Sequence, residues 1–186
     1  MGDSAAEVMI DLETMSTRDN ACIISIGAVK LMTPSASTLG GIVDQFYVNV
    51  TLASCQDVGL HVESRTVQWW SQQSEAARKK LEEDPVHLTS ALLQFNNWFG
   101  QDSHPIWANP ATFDLTIMGN AYKAANLKEP WEFYDERCYR TLRSLFPNLP
   151  YVKPAVPHDA MQDATAQAEH LLKMLRIMKE KNVDSA

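Results

Sequence analysis

An α/β fold built on a mixed sheet is what this sequence predicts, on three observations. Strand-like runs come first and in succession, helical patterns alternating with a short apolar run follow, and a long amphipathic pattern comes last. The first runs are Val8 to Leu12, Ile23 to Leu31, and Ile42 to Val50, the last with Phe46, Val48 and Val50 alternating against Gln45, Tyr47 and Asn49. The separators TMSTRDN and TPSASTLGG have turn composition, which predicts consecutive antiparallel hairpins. Helical spacing then covers about Ser64 to Gln72, Glu75 to Glu82 and Leu88 to Phe99. A buried strand at Pro105 to Ala108 precedes a helix at about Phe113 to Ala125, and Tyr134 to Phe146 reads as a connecting region. After a loop rich in Pro and Val, Met161, Ala164, Ala168, Leu171, Leu175 and Met178 recur at spacings of three and four along one helical face. Asp159 and Gln162 read as N-cap and N3 of a capping box that starts this helix.

Composition agrees with one globular domain over residues 1–186, its core at about 7–181. The chain has 186 residues, 45% hydrophobic and 21% charged, with 7 Gly and 9 Pro, which excludes disorder and fibrous repeats. Folding at this length buries roughly 70% of the extended chain's surface, so the core needs neither disulfides nor structural zinc. Cys22, Cys55 and Cys138 are widely spaced and form no CxxC, as expected of reduced thiols. The net charge of −7, with a pI near 5.2, argues against nonspecific clamping of duplex nucleic acid, whose affinity comes from cationic contacts to phosphate. It leaves open a small cleft that binds cations first and phosphate through them. MGDSAAEVMIDLE carries acids where a secretory signal needs basic residues, and Ala6 breaks the myristoylation pattern. The longest apolar stretch, Ala21 to Val29, is interrupted by Ser25 and falls short of the ~20 residues that span a bilayer. A soluble, cytoplasmic protein with no membrane partner is expected.

Charged residues at three separated places stand against apolar backgrounds. Strand geometry puts Met9, Asp11 and Glu13 on one face and Val8, Ile10 and Leu12 on the other. Two neighbouring carboxylates at a strand end require a basic partner, raised pKa values or a divalent cation, unless the strand end is simply solvated. Asp114 heads an apolar stripe with Met118, Ala121 and Ala125, which points it inward. The alternative is a first-turn acid that satisfies helix N–H groups. At about 100° per residue, Asp163 falls at the border of the last helix's apolar face, where a side chain can reach a cleft. His158 lies on the loop just before the cap; each of these two alone reads equally as a surface residue.

Taken together, Asp-x-Glu at a strand end, Asp about a hundred residues later on a helix, and His-x-x-x-x-Asp opening a final helix resemble the DEDDh 3′-to-5′ exonuclease family. The matched residues are Asp11 and Glu13 in MIDLETM, Asp114 in WANPATFDLTIM, and His158 and Asp163 in HDAMQDATAQAEHL. The resemblance runs from about Met9 to about Leu175. Within the family, DLETMSTRDNACIISIGAV, the WWxxQ segment (Trp69, Trp70, Gln73) and the WxNxxxFD segment (Trp107, Asn109, Phe113, Asp114) look like a phage and bacterial branch. That branch is related to exonuclease VIII-type and poly(A)-directed ribonuclease proteins; if the protein is phage-encoded, its place is the host cytoplasm. The fold this implies is ribonuclease H-like, with a five-stranded mixed sheet, its first three strands antiparallel, flanked by helices.

The resemblance implies the chemistry as well. Phosphodiester hydrolysis needs an activated water held in line with phosphorus and stabilised charge on entering and leaving oxygens, which two divalent ions ~3.5–4 Å apart provide. Mg²⁺ prefers hard carboxylate oxygen, with Mn²⁺ a ready substitute, and four carboxylates balance the charge of two such ions. Asp11, Glu13, Asp114 and Asp163 are the expected ligands, Asp11 bridging, and His158 the expected general base, since imidazole suits proton transfer near neutral pH. The expected product is a nucleoside 5′-monophosphate released from a 3′ end.

Family positions equivalent to Leu12, Thr14 and Met15 bind the terminal sugar and base. Trp70, Trp107, Asn109 and Phe113 are further substrate-binding candidates, because bases stack on flat apolar surfaces at ~1–3 kcal/mol each, with plain core packing the alternative for each aromatic. Arg137, Arg140 and Arg143 either track a strand backbone or make a solvated helix face. Small size and acidic charge favour single-stranded 3′ ends, DNA slightly ahead of RNA. A homodimer is the family's frequent state. The rival readings are a catalytically silent nucleic-acid-binding protein of the same fold and a ribonuclease H-type endonuclease or two-metal phosphatase.

Overall fold

The computed structural model describes residues 5–35 and 37–183. Strands β1 (Ala6–Thr14), β2 (Ile23–Met32) and β3 (Gly41–Asn49) form the antiparallel meander that the turn-rich separators predict. Two short strands, β4 (Ile106–Ala108) and β5 (Glu136–Cys138), run parallel to β1 and give the order β3-β2-β1-β4-β5. The predicted mixed five-stranded sheet is therefore the observed one. β1 extends past the predicted Leu12, so Glu13 lies inside the strand, opposite Ser25, while Asp11 lies opposite Gly27.

The helices are α1 (Leu52–Asp57), α2 (Ser64–Ser71), α3 (Glu75–Leu81), α4 (Leu88–Phe99), α5 (Ala111–Ala124), α6 (Tyr139–Ser144) and α7 (Ala160–Val183). The boundaries of α2 to α5 fall within two residues of those the spacing predicts. The predicted connecting region, Tyr134 to Phe146, holds more structure than expected: a 3-10 turn at Phe133–Asp135, β5 and α6. β5 is a strand because β4 pairs with it, since Glu-Arg-Cys carries no apolar alternation of its own. Helix α1 is also additional to the prediction and is too short to show a period.

The two faces of β1 go to two cores, as period-2 geometry requires. Val8, Ile10 and Leu12 join α4 and α5 residues such as Leu92, Phe95 and Ile117 in the larger one. Met9 joins Val29 and Leu31 under Ala164, Ala168 and Leu171 of α7 in the smaller. Met178, predicted to continue that stripe, is 41% exposed. Its helix has by then reached the β2–β3 connection, where Arg176 and Lys179 donate to the carbonyls of Leu39 and Pro34.

Among the described residues, no helix is long and apolar enough to cross a membrane.

Candidate active site

The site begins with the close seating of α7 on the sheet. Gly27 makes it possible, because a Cβ there would lie 2.2 Å from the carbonyl carbon of Ala160. The first turn of α7 consequently rests on β2 next to Asp11, Gly27's partner in the ladder. Asp159 caps this turn: its Oδ1 accepts from the N–H groups of Met161 (3.1 Å) and Gln162 (3.2 Å). The reciprocal half of the predicted capping box is redirected, since the Gln162 Oε1 accepts from Val156 N–H rather than from the cap residue. His158 takes a left-handed backbone conformation (φ 63°), and its N–H donates to Asp163 Oδ2 at 2.9 Å. Loop and helix are thereby locked together.

Carboxylate oxygens of Asp11, Glu13 and Asp163 lie within 4.8 Å of one another. Asp114 stands beside them on α5, 3% exposed, its Oδ1 accepting from Leu12 N–H at 3.2 Å. That N–H is available because β4 pairs with β1 only at Val8 and Met9 and then ends. Four of the five predicted chemical residues thus converge as carboxylates. His158 borders them, its ring centroid 4.7 Å from that of Trp69 in an edge-to-face contact.

Converging acids raise one another's pKa. Burial pushes Asp11 well above the ordinary carboxylate range, and the charges of Asp114, Glu13 and Asp163 add to it against a hydrogen bond from Gln167. Burial likewise lifts Glu13, with Asp163, Asp114 and Asp159 adding. Asp163 is raised mainly by burial, and burial takes Asp114 up to about 7 in spite of backbone N–H groups, Leu12 first among them, that favour its charged form. Hard oxygen donors crowded in this way fit a divalent cation, which removes the repulsion and takes carboxylate ligands directly.

A cavity of about 410 Å³ opens beside Glu13. The substrate-contact candidates Leu12, Thr14, Trp70 and Phe113 line it, together with Ser16, Thr17, Arg65, Thr66 and Trp69, which are not among those candidates. Trp70 is 4% exposed and donates its indole N–H to Thr14 O (2.9 Å), whereas Trp69 is 40% exposed and meets His158. In the sequence the pair says only that one of the two rings normally faces inward, not which. Gln167 was also passed over, although it lies four residues after Asp163 on the same helical face.

Three predicted substrate contacts are not among the residues lining this cavity. Met15 packs against the larger core, beyond the irregularity in the β1–β2 ladder at Glu13/Thr14. Trp107 packs against the smaller core and donates its indole N–H to Glu7. Asn109 accepts from Arg140 Nε at 3.4 Å. Of the other two arginines, Arg137 donates to the carbonyls of Tyr134 and Glu136, and Arg143 stacks 4.7 Å over the Tyr151 ring.

A model of the 3′-5′ exoribonuclease Rv2179c-like domain matches residues 6–175, a span that takes in β1, the cavity and the start of α7. The chain belongs to that family. The acids and the histidine whose spacing resembles the DEDDh exonucleases all fall inside this match. The chain's fold is that of solved exonucleases. The nuclease domain of 3′hExo, a DEDDh family member bound to rAMP, superimposes with a TM-score of 0.63 at 13% identity over 94% of both chains. Cell-death related nuclease 4 (CRN-4) gives 0.59 at 15% identity, covering 94% of this chain and 64% of that one. The zinc-bound E. coli ExoI–ssDNA complex gives 0.63 at 13% identity, covering 98% of this chain and 43% of that one. The chain thus spans under two thirds of CRN-4 and under half of exonuclease I. No curated protein matches the sequence.

Proposed function

We propose that this single domain removes nucleoside 5′-monophosphates from single-stranded RNA 3′ ends, with divalent cations held by Asp11, Glu13, Asp114 and Asp163 and with His158 as general base. The observation that carries the reading is the meeting of three carboxylates within 4.8 Å beside a cavity of nucleoside size. RNA is placed ahead of DNA because the matching family is described as exoribonucleases. The sequence's slight preference for DNA has no residue behind it, since a 2′-hydroxyl contact would decide the question and none can be read; DNA is therefore the comparison substrate.

Mg²⁺ or Mn²⁺ bound by the four acids would supply a lowered pKa for the attacking water and stabilisation of charge on the entering and leaving oxygens. The protein's own part is positional. Leu12 and Phe113 bound the space for the terminal base, and Trp69 closes its far side next to His158. The left-handed turn at His158 and its bond to Asp163 hold the imidazole at the rim of the acids, where it takes the proton of the attacking water.

The test is a ladder assay on 5′-labelled single-stranded RNA and DNA of one sequence, with Mg²⁺, Mn²⁺ or EDTA. Stepwise shortening, faster on RNA and absent in EDTA, is expected. Internal cuts would make the protein an endonuclease, and no change would make it a binding protein. Asp163→Asn should slow hydrolysis by ~10³-fold, about 4 kcal/mol of transition-state stabilisation, with circular dichroism and melting nearly unchanged. A variant that stays active removes Asp163 from the site.

A further inference from the structure

We infer that Gln167 is a positioning residue that sets the Asp11 carboxylate for cation binding, a role that rests on the metal-dependent reading above. Gln167 lies one turn after Asp163 on α7, so both face β1. Its Nε2 donates to Asp11 Oδ1 at 2.9 Å across 156 residues of sequence. The residue is only 3% exposed, and its Oε1 is buried with no hydrogen-bond partner among the described residues. A buried carbonyl without a partner is a net cost to folding. Around it, Ala164, Ala168 and Leu171 of the same helix are fully buried against the face that carries Met9, so an apolar side chain at 167 would pack there at no such cost. The amide is explained by its donor end.

That donor does what no other side-chain type would do as well. It fixes the Asp11 carboxylate and occupies Oδ1, leaving Oδ2 for a cation. Lys or Arg would hold the carboxylate too, but would add positive charge where a cation must bind. A neutral N–H donor orients the ligand without competing for its charge, as groups behind metal ligands commonly do.

The experiment titrates Mn²⁺ alone, by calorimetry and without nucleic acid, into metal-free wild type and Gln167→Met, and melts both in EDTA. Gln167→Met should bind Mn²⁺ about tenfold to a hundredfold more weakly while melting in EDTA close to the wild-type temperature, since the lost partner of Asp11 and the removed unpartnered carbonyl offset each other. At saturating Mn²⁺ its KM for the oligonucleotide should equal that of wild type. Unchanged Mn²⁺ affinity overturns the inference, and so does a loss of affinity that only parallels a drop in EDTA melting temperature, which marks a structural role. If Gln167→Met does not fold, Gln167→Asn, which keeps an amide one methylene too short to reach Asp11, must show the same weakening. A wild type that binds no Mn²⁺ sinks the metal reading itself, and that arm is scored before either variant.

Discussion

The two faces of the sheet are built in opposite ways. The face under α4 and α5 is thick and aromatic: Phe95 meets Phe46, Trp98, Phe99 and Trp131 at ring separations of 5.5 to 6.4 Å, and Tyr122 adds to Trp131. The face under α7 is thin where the first turn of that helix lands: Gly27 has no side chain there and helix backbone comes down onto strand backbone, before Ala164 and Ala168 pass over Met9, Val29 and Leu31. Bulky packing gives stability that tolerates displacement, whereas close backbone contact gives positional accuracy that does not. The acids sit on the thin side and its border with α5.

If that division holds, damage to the two faces must separate stability from activity. The largest effect is expected for Phe95→Ala, about 4 kcal/mol less stable to urea, with hydrolysis by the remaining folded protein close to wild type. Gly27→Ala should cost about 3 kcal/mol, because the new methyl meets helix backbone that cannot rotate away, and it should abolish hydrolysis even where the protein is folded. Equal loss of activity in the two variants would erase the distinction.

A third effect, on the order of 2 kcal/mol, comes from pH in EDTA. Asp114 is held at about 7 in the folded chain against an ordinary 3.8, chiefly by burial. Between these values the folded chain carries a proton that the unfolded chain has released. Stability is therefore full below about pH 4 for this group and is lost as pH rises through about 7, an effect that Asp11 and Glu13, also raised, reinforce. Urea unfolding at pH 5 and pH 8 measures it, and saturating Mn²⁺ should remove the difference. Smallest is Asp159→Ala, which removes the cap of α7 at about 1 kcal/mol, read as a lower melting temperature with the Phe95 core intact.

The sheet's first three strands and the long helix were legible because each carries enough residues to show its period. β5 was not, since three residues held only by pairing to β4 leave no pattern to read. The acids could be found because a charge in an apolar stripe conflicts with its surroundings. Trp69 and Gln167 conflict with nothing: an exposed tryptophan next to a buried one and a neutral amide on a helix are both ordinary, and only contact with His158 and Asp11 distinguishes them. Met15, Trp107 and Asn109 show the converse, because closeness in sequence to an acid does not decide which way a side chain turns: the first two pack against the cores and the third meets Arg140.

The early end of β4 also fixes a length. Where a neighbouring strand would have continued the ladder, a carboxylate oxygen takes its place at 3.2 Å from Leu12 N–H. An insertion that prolonged β4 by two residues would hand that rung back to peptide carbonyls and push Asp114 out of register, so evolution can lengthen this protein at its loops far more readily than at this strand.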